Sequence, residues 1–252
     1  MASFTTLAKK ITESPRIDFG DLFNESVAIF KKVWLQGFIL QLISIVLSLP
    51  LIIFNFSFLL DSGLDSNSYE LLEQLMSGDS MLEQSGSMIL LYYLMVIVVG
   101  FISSLLSFGF FRVIRQMDEG APFEISNFFY FFHVARIKKS LLLILANFGI
   151  AILALIMCVL PIFYVMIPLM FVTPMFVFNP ELSISETLKS SFSLGHKKWG
   201  ITFVITILNV ITLYILVLLT CGLGSLFFSC FLQMPIYVLY KKIISFEDAT
   251  IQ

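Results

Sequence analysis

Long apolar stretches alternate with short polar segments along this chain, and their lengths decide how they can fold. Val33–Leu60 and Met88–Phe111 are each long enough to cross a bilayer, which takes about 20 residues. Ser140–Phe178 is apolar almost throughout. As a single helix it would be about 58 Å long, roughly twice the hydrocarbon thickness, so it is expected to fold back around Leu160-Pro161. Trp199–Tyr240 repeats the case, with Cys221-Gly222-Leu223-Gly224 as the turn. Six spans result.

Three polar segments carry a helical period instead. From Asp18 onward, Phe19, Leu22, Phe23, Phe30, Val33 and Trp34 share one face, with acids at the start and Lys31-Lys32 at the end. A second segment, 123–138, holds five consecutive aromatics, Phe128 to Phe132, before Arg136, Lys138 and Lys139. In the third, Ile184, Leu188, Phe192 and Trp199 form a stripe, and Ser183 with Glu186 reads as a capping box. Such segments are too charged to span and suit an interface. Each precedes a span out and a span back, which gives units 18–111, 122–178 and 181–240. The expected fold is all-α and integral to the membrane. It has six transmembrane helices as three helical hairpins, each preceded by a cytoplasmic amphipathic interfacial helix, in a pseudo-threefold parallel repeat. Residues 18–240 form one polytopic domain. Residues 1–17, without periodicity, and 241–252 read as cytoplasmic tails.

Charge orients the array. On this topology all 15 Lys and Arg residues lie on one side, so both termini are expected in the cytoplasm. The outward loop 61–87 has six acidic residues and no Lys or Arg. Its apolar set Tyr69, Leu72, Leu75 and Met76 makes it a candidate partner loop. The composition, 58% hydrophobic and 13% charged with mean hydropathy +0.97, excludes an ordinary soluble domain, in which about 25% of residues are charged. No segment has the layout of a cleaved secretory signal, so the first span reads as a retained anchor.

The apolar runs as delimited contain no Asp, Glu, Lys, Arg or His, which argues against a proton-coupled transporter, a pump or an intramembrane protease. No nucleophile–base or carboxylate pair is evident, and the chain is expected not to be an enzyme. Neutral polar residues remain: Gln41, Asn55, Asn147, Asn209 and Gln233. They read either as interhelical hydrogen-bonding groups or as the lining of a cavity for a headgroup or partner helix. Pro161, Pro168 and Pro174 are expected to bend their span. Cys158, Cys221 and Cys230 read as apolar fillers, and His133 and His196 lack partners at ligand spacing, so no metal or cofactor is expected. Lys31, Lys32, Trp34, Arg136, Lys138, Lys139, Lys197, Lys198 and Trp199 are candidate contacts to anionic lipid of the cytoplasmic leaflet.

The stretch from Ile167 to Phe203 adds a resemblance. A proline-containing span is followed by Glu181 or Glu186, by an E-x-L-K-x-S-F-x-L helix at 186–194, and by a basic residue with an aromatic entering the next span. It resembles the signature of a broad bacterial group of six-helix membrane proteins, which includes the membrane domain attached to some glycerophosphoryl diester phosphodiesterases. The resemblance implies the fold and a bacterial inner membrane; the soluble catalytic domain of those enzymes has no counterpart here. The expected function is that of a non-enzymatic accessory or scaffold subunit, binding membrane-protein partners or lipid and no nucleic acid. A carrier for a lipid or other apolar solute is the alternative.

Overall fold

A computed structural model describes residues 4–63, 86–157 and 159–246, and every regular element among them is helical. In chain order these are α1 (Phe4–Thr12), α2 (Phe19–Gly63), α3 (Gly86–Asp118), a 3-10 helix (Ile125–Phe132), α4 (Val134–Met157), α5 (Val159–Met170), α6 (Val172–Phe178), α7 (Ile184–Lys197), α8 (Trp199–Leu219), α9 (Gly224–Phe228), a second 3-10 helix (Ser229–Gln233) and α10 (Met234–Ile244). Six helical stretches are long and apolar enough to cross a membrane: Phe19–Ser57, Leu90–Asp118, Val134–Met157, Pro161–Phe178, Trp199–Leu219 and Gly224–Ile244.

Several expectations change. The segment 1–17 is not an aperiodic tail: α1 buries Leu7 and Ile11, four residues apart on one face, and packs on α7 and α10. The first amphipathic segment does not end at Lys32, because α2 continues without interruption into the first span. Its buried stripe is Leu22, Ser26, Ile29, Val33, Gln36 and Leu40, a strict helical repeat, while Phe23 and Trp34 are exposed. A helix propagates through its backbone hydrogen bonds and does not stop where apolar composition stops. For the same reason the span helices carry charged ends, such as Arg112, Arg115 and Asp118 on α3, and Lys138 and Lys139 on α4.

The second amphipathic segment is not one helix over 123–138. Its aromatic run forms a 3-10 helix, where residues three apart eclipse, so Phe128 and Phe131 point together into the interior. His133 then adopts an extended conformation and α4 starts afresh. Phe128 stacks on Phe110, while Phe131 packs against Phe108 and Phe176. Gly109 permits this approach, since a Cβ there would run into the backbone of Phe128.

The third segment, α7, has the expected capping box: Ser183 Oγ accepts from Glu186 N, and Ser183 N donates to Glu186 Oε2 at 2.9 Å. Its buried face, however, is Thr187, Ser190, Ser191, Leu194 and Gly195, and the expected stripe of Ile184, Leu188, Phe192 and Trp199 is only half-buried. Small residues are needed there because α5 lies so close that a Cβ on Gly195 would meet Pro168 Cα. Thr187 and Ser191 donate their hydroxyls back one turn, to the carbonyls of Ser183 and Thr187, which offsets the cost of burying them, while Ser190 Oγ is buried with no hydrogen-bond partner among the described residues.

Two compact units emerge. One contains residues up to Gln41 and from Ser104 onward. Its core runs from Phe108, Phe110 and Phe128 through Phe171 and Met175 to the fully buried Tyr237 and Tyr240. The other, Leu42–Ser103, joins the second half of α2 to the first half of α3, where Phe54 stacks on Tyr92 at 5.4 Å. There Asn55 Nδ2 donates to the Leu51 carbonyl at 2.8 Å.

Candidate functional site

The polar chemistry of the larger unit gathers at helix ends, in three clusters. The first is centred on Asp118, the last residue of α3, whose side chain is only 10% exposed. Its Oδ2 accepts from Lys241 Nζ at 2.7 Å and from Tyr237 Oη at 3.0 Å. Lys32 Nζ lies 3.7 Å from Oδ1 and donates to the Asp118 carbonyl. Glu25 on α2 pairs with Lys241 at 3.4 Å and Lys242 at 3.1 Å. One carboxylate at the end of α3 therefore ties together α2 and α10. Partly buried, charge-assisted contacts of this kind contribute about 1.5–3 kcal/mol each. An exposed pair such as Lys9–Glu13 is worth about 0–1.

The turn after Asp118 keeps it in place. Ala121 N donates to Gln116 O and Gly120 N to Met117 O, with Gly120 at φ +76°, which is a Schellman closure of α3.

The second cluster surrounds Tyr130. The guanidinium carbons of Arg112 and Arg136 lie 3.6 and 3.8 Å from its ring centroid. Arg112 Nε also donates to Asn127 Oδ1 at 3.3 Å, and Asn127 Nδ2 donates to Gln116 Oε1 at 2.7 Å. Neither arginine has a carboxylate partner among the described residues. Arg115, one turn away, is spent on Glu119 at 2.7 Å and lies over the Phe246 ring.

The third cluster seats the N-terminal segment. Lys197 Nζ donates to Thr12 O, Lys198 Nζ to Pro15 O at 2.5 Å, and Lys10 Nζ to Ile244 O at 2.8 Å. Burial holds the Lys198 ammonium below its ordinary pKa, and the charge of Lys197 adds to the effect. Beside it, Pro168 has no N–H for the carbonyl one turn back, that of Tyr164. That carbonyl accepts instead from the Trp199 indole at 3.1 Å. Tyr164 Oη in turn hydrogen-bonds His196 Nδ1.

The expected site residues therefore fall into different settings. Lys32, Lys197, Lys198 and Trp199 make internal contacts, as does Lys139, whose Nζ donates to Pro180 O at 2.5 Å. Lys31, Trp34 and Lys138 are exposed. Among the span amides, Gln41 is half-buried and Asn209 buried, while Asn147 Oδ1 and Gln233 Oε1 are buried without a hydrogen-bond partner. No hydrogen bond joins any two of these four among the described residues. Tyr69, Leu72, Leu75 and Met76 lie outside the described residues.

Asp118, Arg112, Tyr130 and Tyr237 were not singled out by sequence. Asp118 stands in a short Asp-Glu-Gly-Ala-Pro stretch, and Tyr130 is hidden in a run of five aromatics. The available signal was the i, i+3, i+4, i+7 spacing of Arg112, Arg115, Gln116 and Glu119, which puts a polar face on the last turns of α3.

Six apolar helical stretches whose polar groups gather at helix ends fit a multi-pass helical membrane protein. No protein family, no curated protein and no solved structure matches the chain.

Proposed function

We propose that this chain is a multi-pass protein of the bacterial inner membrane that acts as an accessory or scaffold subunit, binding lipid or partner membrane proteins. In this reading the spans form three outward hairpins, their basic ends and both termini face the cytoplasm, and the bacterial six-helix group resembled by 167–203 shares the plan. The observation that carries it is how the basic residues are used. Most of those on helix ends are consumed in holding the fold together, as with Lys32, Lys197, Lys198, Lys241 and Lys242, while Arg112 and Arg136 remain without a carboxylate partner among the described residues. The span surfaces present large hydrophobic side chains, such as Leu142, Ile156, Tyr214 and Leu219, which lipid or another membrane helix would cover. The carrier alternative draws on buried, unsatisfied amide oxygens of Gln36, Asn147 and Gln233, which would suit a polar path inside the bundle.

The deciding experiment is purification of the whole protein in mild detergent, with mass spectrometry of what accompanies it. A stoichiometric protein or lipid is expected. Material free of both, together with solute flux in proteoliposomes, would move the assignment to a carrier.

A further inference from the structure

The Tyr130 cluster contains more positive charge than the fold uses. The two guanidiniums approach one ring at 3.6 and 3.8 Å, so their charges lie within about 7 Å of each other and repel. Arg112 spends its donors on two neutral oxygens, the Asn127 amide and the Tyr130 hydroxyl, and the Arg136 guanidinium makes no hydrogen bond to any described residue. The ring contributes about 0.5–2 kcal/mol per cation through its face, but it supplies no counter-charge. Most N–H donors of the two side chains, including the whole Arg136 fork, thus remain available at one place.

The surroundings are specific too. Arg112 lies near the end of one candidate span and Arg136 in the first turn of the next. Ile125, Phe129 and Val134 stand exposed on the same connecting segment, Val134 at 75%. Paired guanidiniums beside exposed apolar side chains match a molecule with a phosphate at one end and acyl chains at the other. A guanidinium fork fits phosphate oxygens two at a time, and the Tyr130 hydroxyl can add a third donor.

We infer that Arg112, Arg136 and Tyr130 form a binding site for the phosphate of an anionic membrane phospholipid. The site rests on the reading of the chain as a lipid- or partner-binding membrane protein and names its ligand class. Bound phosphate would neutralise the two like charges and fix the connection between α3 and α4. Gly109 holds the aromatic segment against α3 and thereby keeps Tyr130 within reach of Arg112.

The test uses the full chain in detergent, titrated with phosphatidylglycerol, phosphatidylcholine or inorganic phosphate and followed by native mass spectrometry. The wild type should retain one phosphatidylglycerol in preference to phosphatidylcholine, and millimolar phosphate should not displace it. The double variant Arg112→Gln/Arg136→Gln should lose that retention by about tenfold or more. Lys189→Gln, which removes one exposed charge from α7, should leave it unchanged. Arg136→Lys keeps the charge but not the fork, guards against a folding artefact, and should fall between. Equal retention by the wild type and the double variant would overturn the site. Phosphate binding without lipid retention would overturn the lipid assignment. If the double variant loses lipid yet co-purifying proteins persist, the site stands. If the site fails while partners still co-purify, only the site is lost and the accessory reading survives.

Discussion

Asp118 shows how one side chain can govern several helices. Its carboxylate receives Lys241 and Tyr237 and lies close to Lys32, with little exposure to water. Asp118→Asn keeps an acceptor for Tyr237 but removes the counter-charge, leaving Lys241 to Glu25 alone. We expect a loss of about 2 kcal/mol, read as a lower unfolding midpoint in detergent. Glu13→Gln, which breaks the exposed pair with Lys9, should change stability by no more than about 0.5 kcal/mol. Cys221 predicts the opposite sign. Cys221 N donates to Leu218 O and Gly222 N to Val217 O, so Cys221 takes the left-handed position of a Schellman closure, at φ +51°. An L side chain there costs roughly 1–2 kcal/mol, while glycine loses about 0.5–1 in chain entropy. Cys221 is exposed and packs nothing away. Cys221→Gly should therefore stabilise by about 0.5 kcal/mol, and a fall in the unfolding midpoint would refute the account.

At the scale of elements, α7 is the most self-contained piece of grammar. Its cap works in both directions between Ser183 and Glu186, and donation from the Ser183 hydroxyl, then from its backbone N–H, holds the Glu186 carboxyl below its ordinary pKa. A depressed carboxyl stabilises the fold above its unfolded pKa, and that contribution is lost as pH falls through the folded value. Ser183→Ala should cost about 1 kcal/mol at neutral pH and make the midpoint less sensitive to acid below the usual carboxylate range. A variant with the wild-type acid profile would show that the cap is not what acid titrates. The connections on either side of α7 depend on the imino acid at Pro168. It orphans the Tyr164 carbonyl, Trp199 fills the vacancy, and Gly195 packs against the proline from α7. Pro168 is thus a docking point inside an unbroken α5, and the chain is interrupted only after it, at Phe171 between α5 and α6.

At the scale of the molecule, orientation is the open prediction. Reporter fusions at residues 75, 120, 180 and 252 should read out, in, in and in, because basic loops are retained in the cytoplasm. A cytoplasmic signal at residue 75 would remove the three-hairpin topology and, with it, the assignment of the arginine pair to the inner leaflet.

What the sequence by itself determined is what length, composition and short-range pattern control: six apolar stretches, the reversal near Cys221-Gly222 and the cap of α7. Each depends on residues within a turn or two of one another, so the information is local. Tertiary structure alone decided which faces are inside. The α7 face of Thr187, Ser191 and Gly195 looks polar in sequence and is buried, because its hydroxyls bond their own helix and only small residues admit α5. It decided that the N-terminal segment is a docked helix, since the Lys197 and Lys198 that hold it lie more than 180 residues away. It also brought Arg112 and Arg136 to one tyrosine. A 3-10 helix in place of an α-helix, and a glycine 19 residues before Phe128, set that convergence, and no periodicity along the chain encodes it.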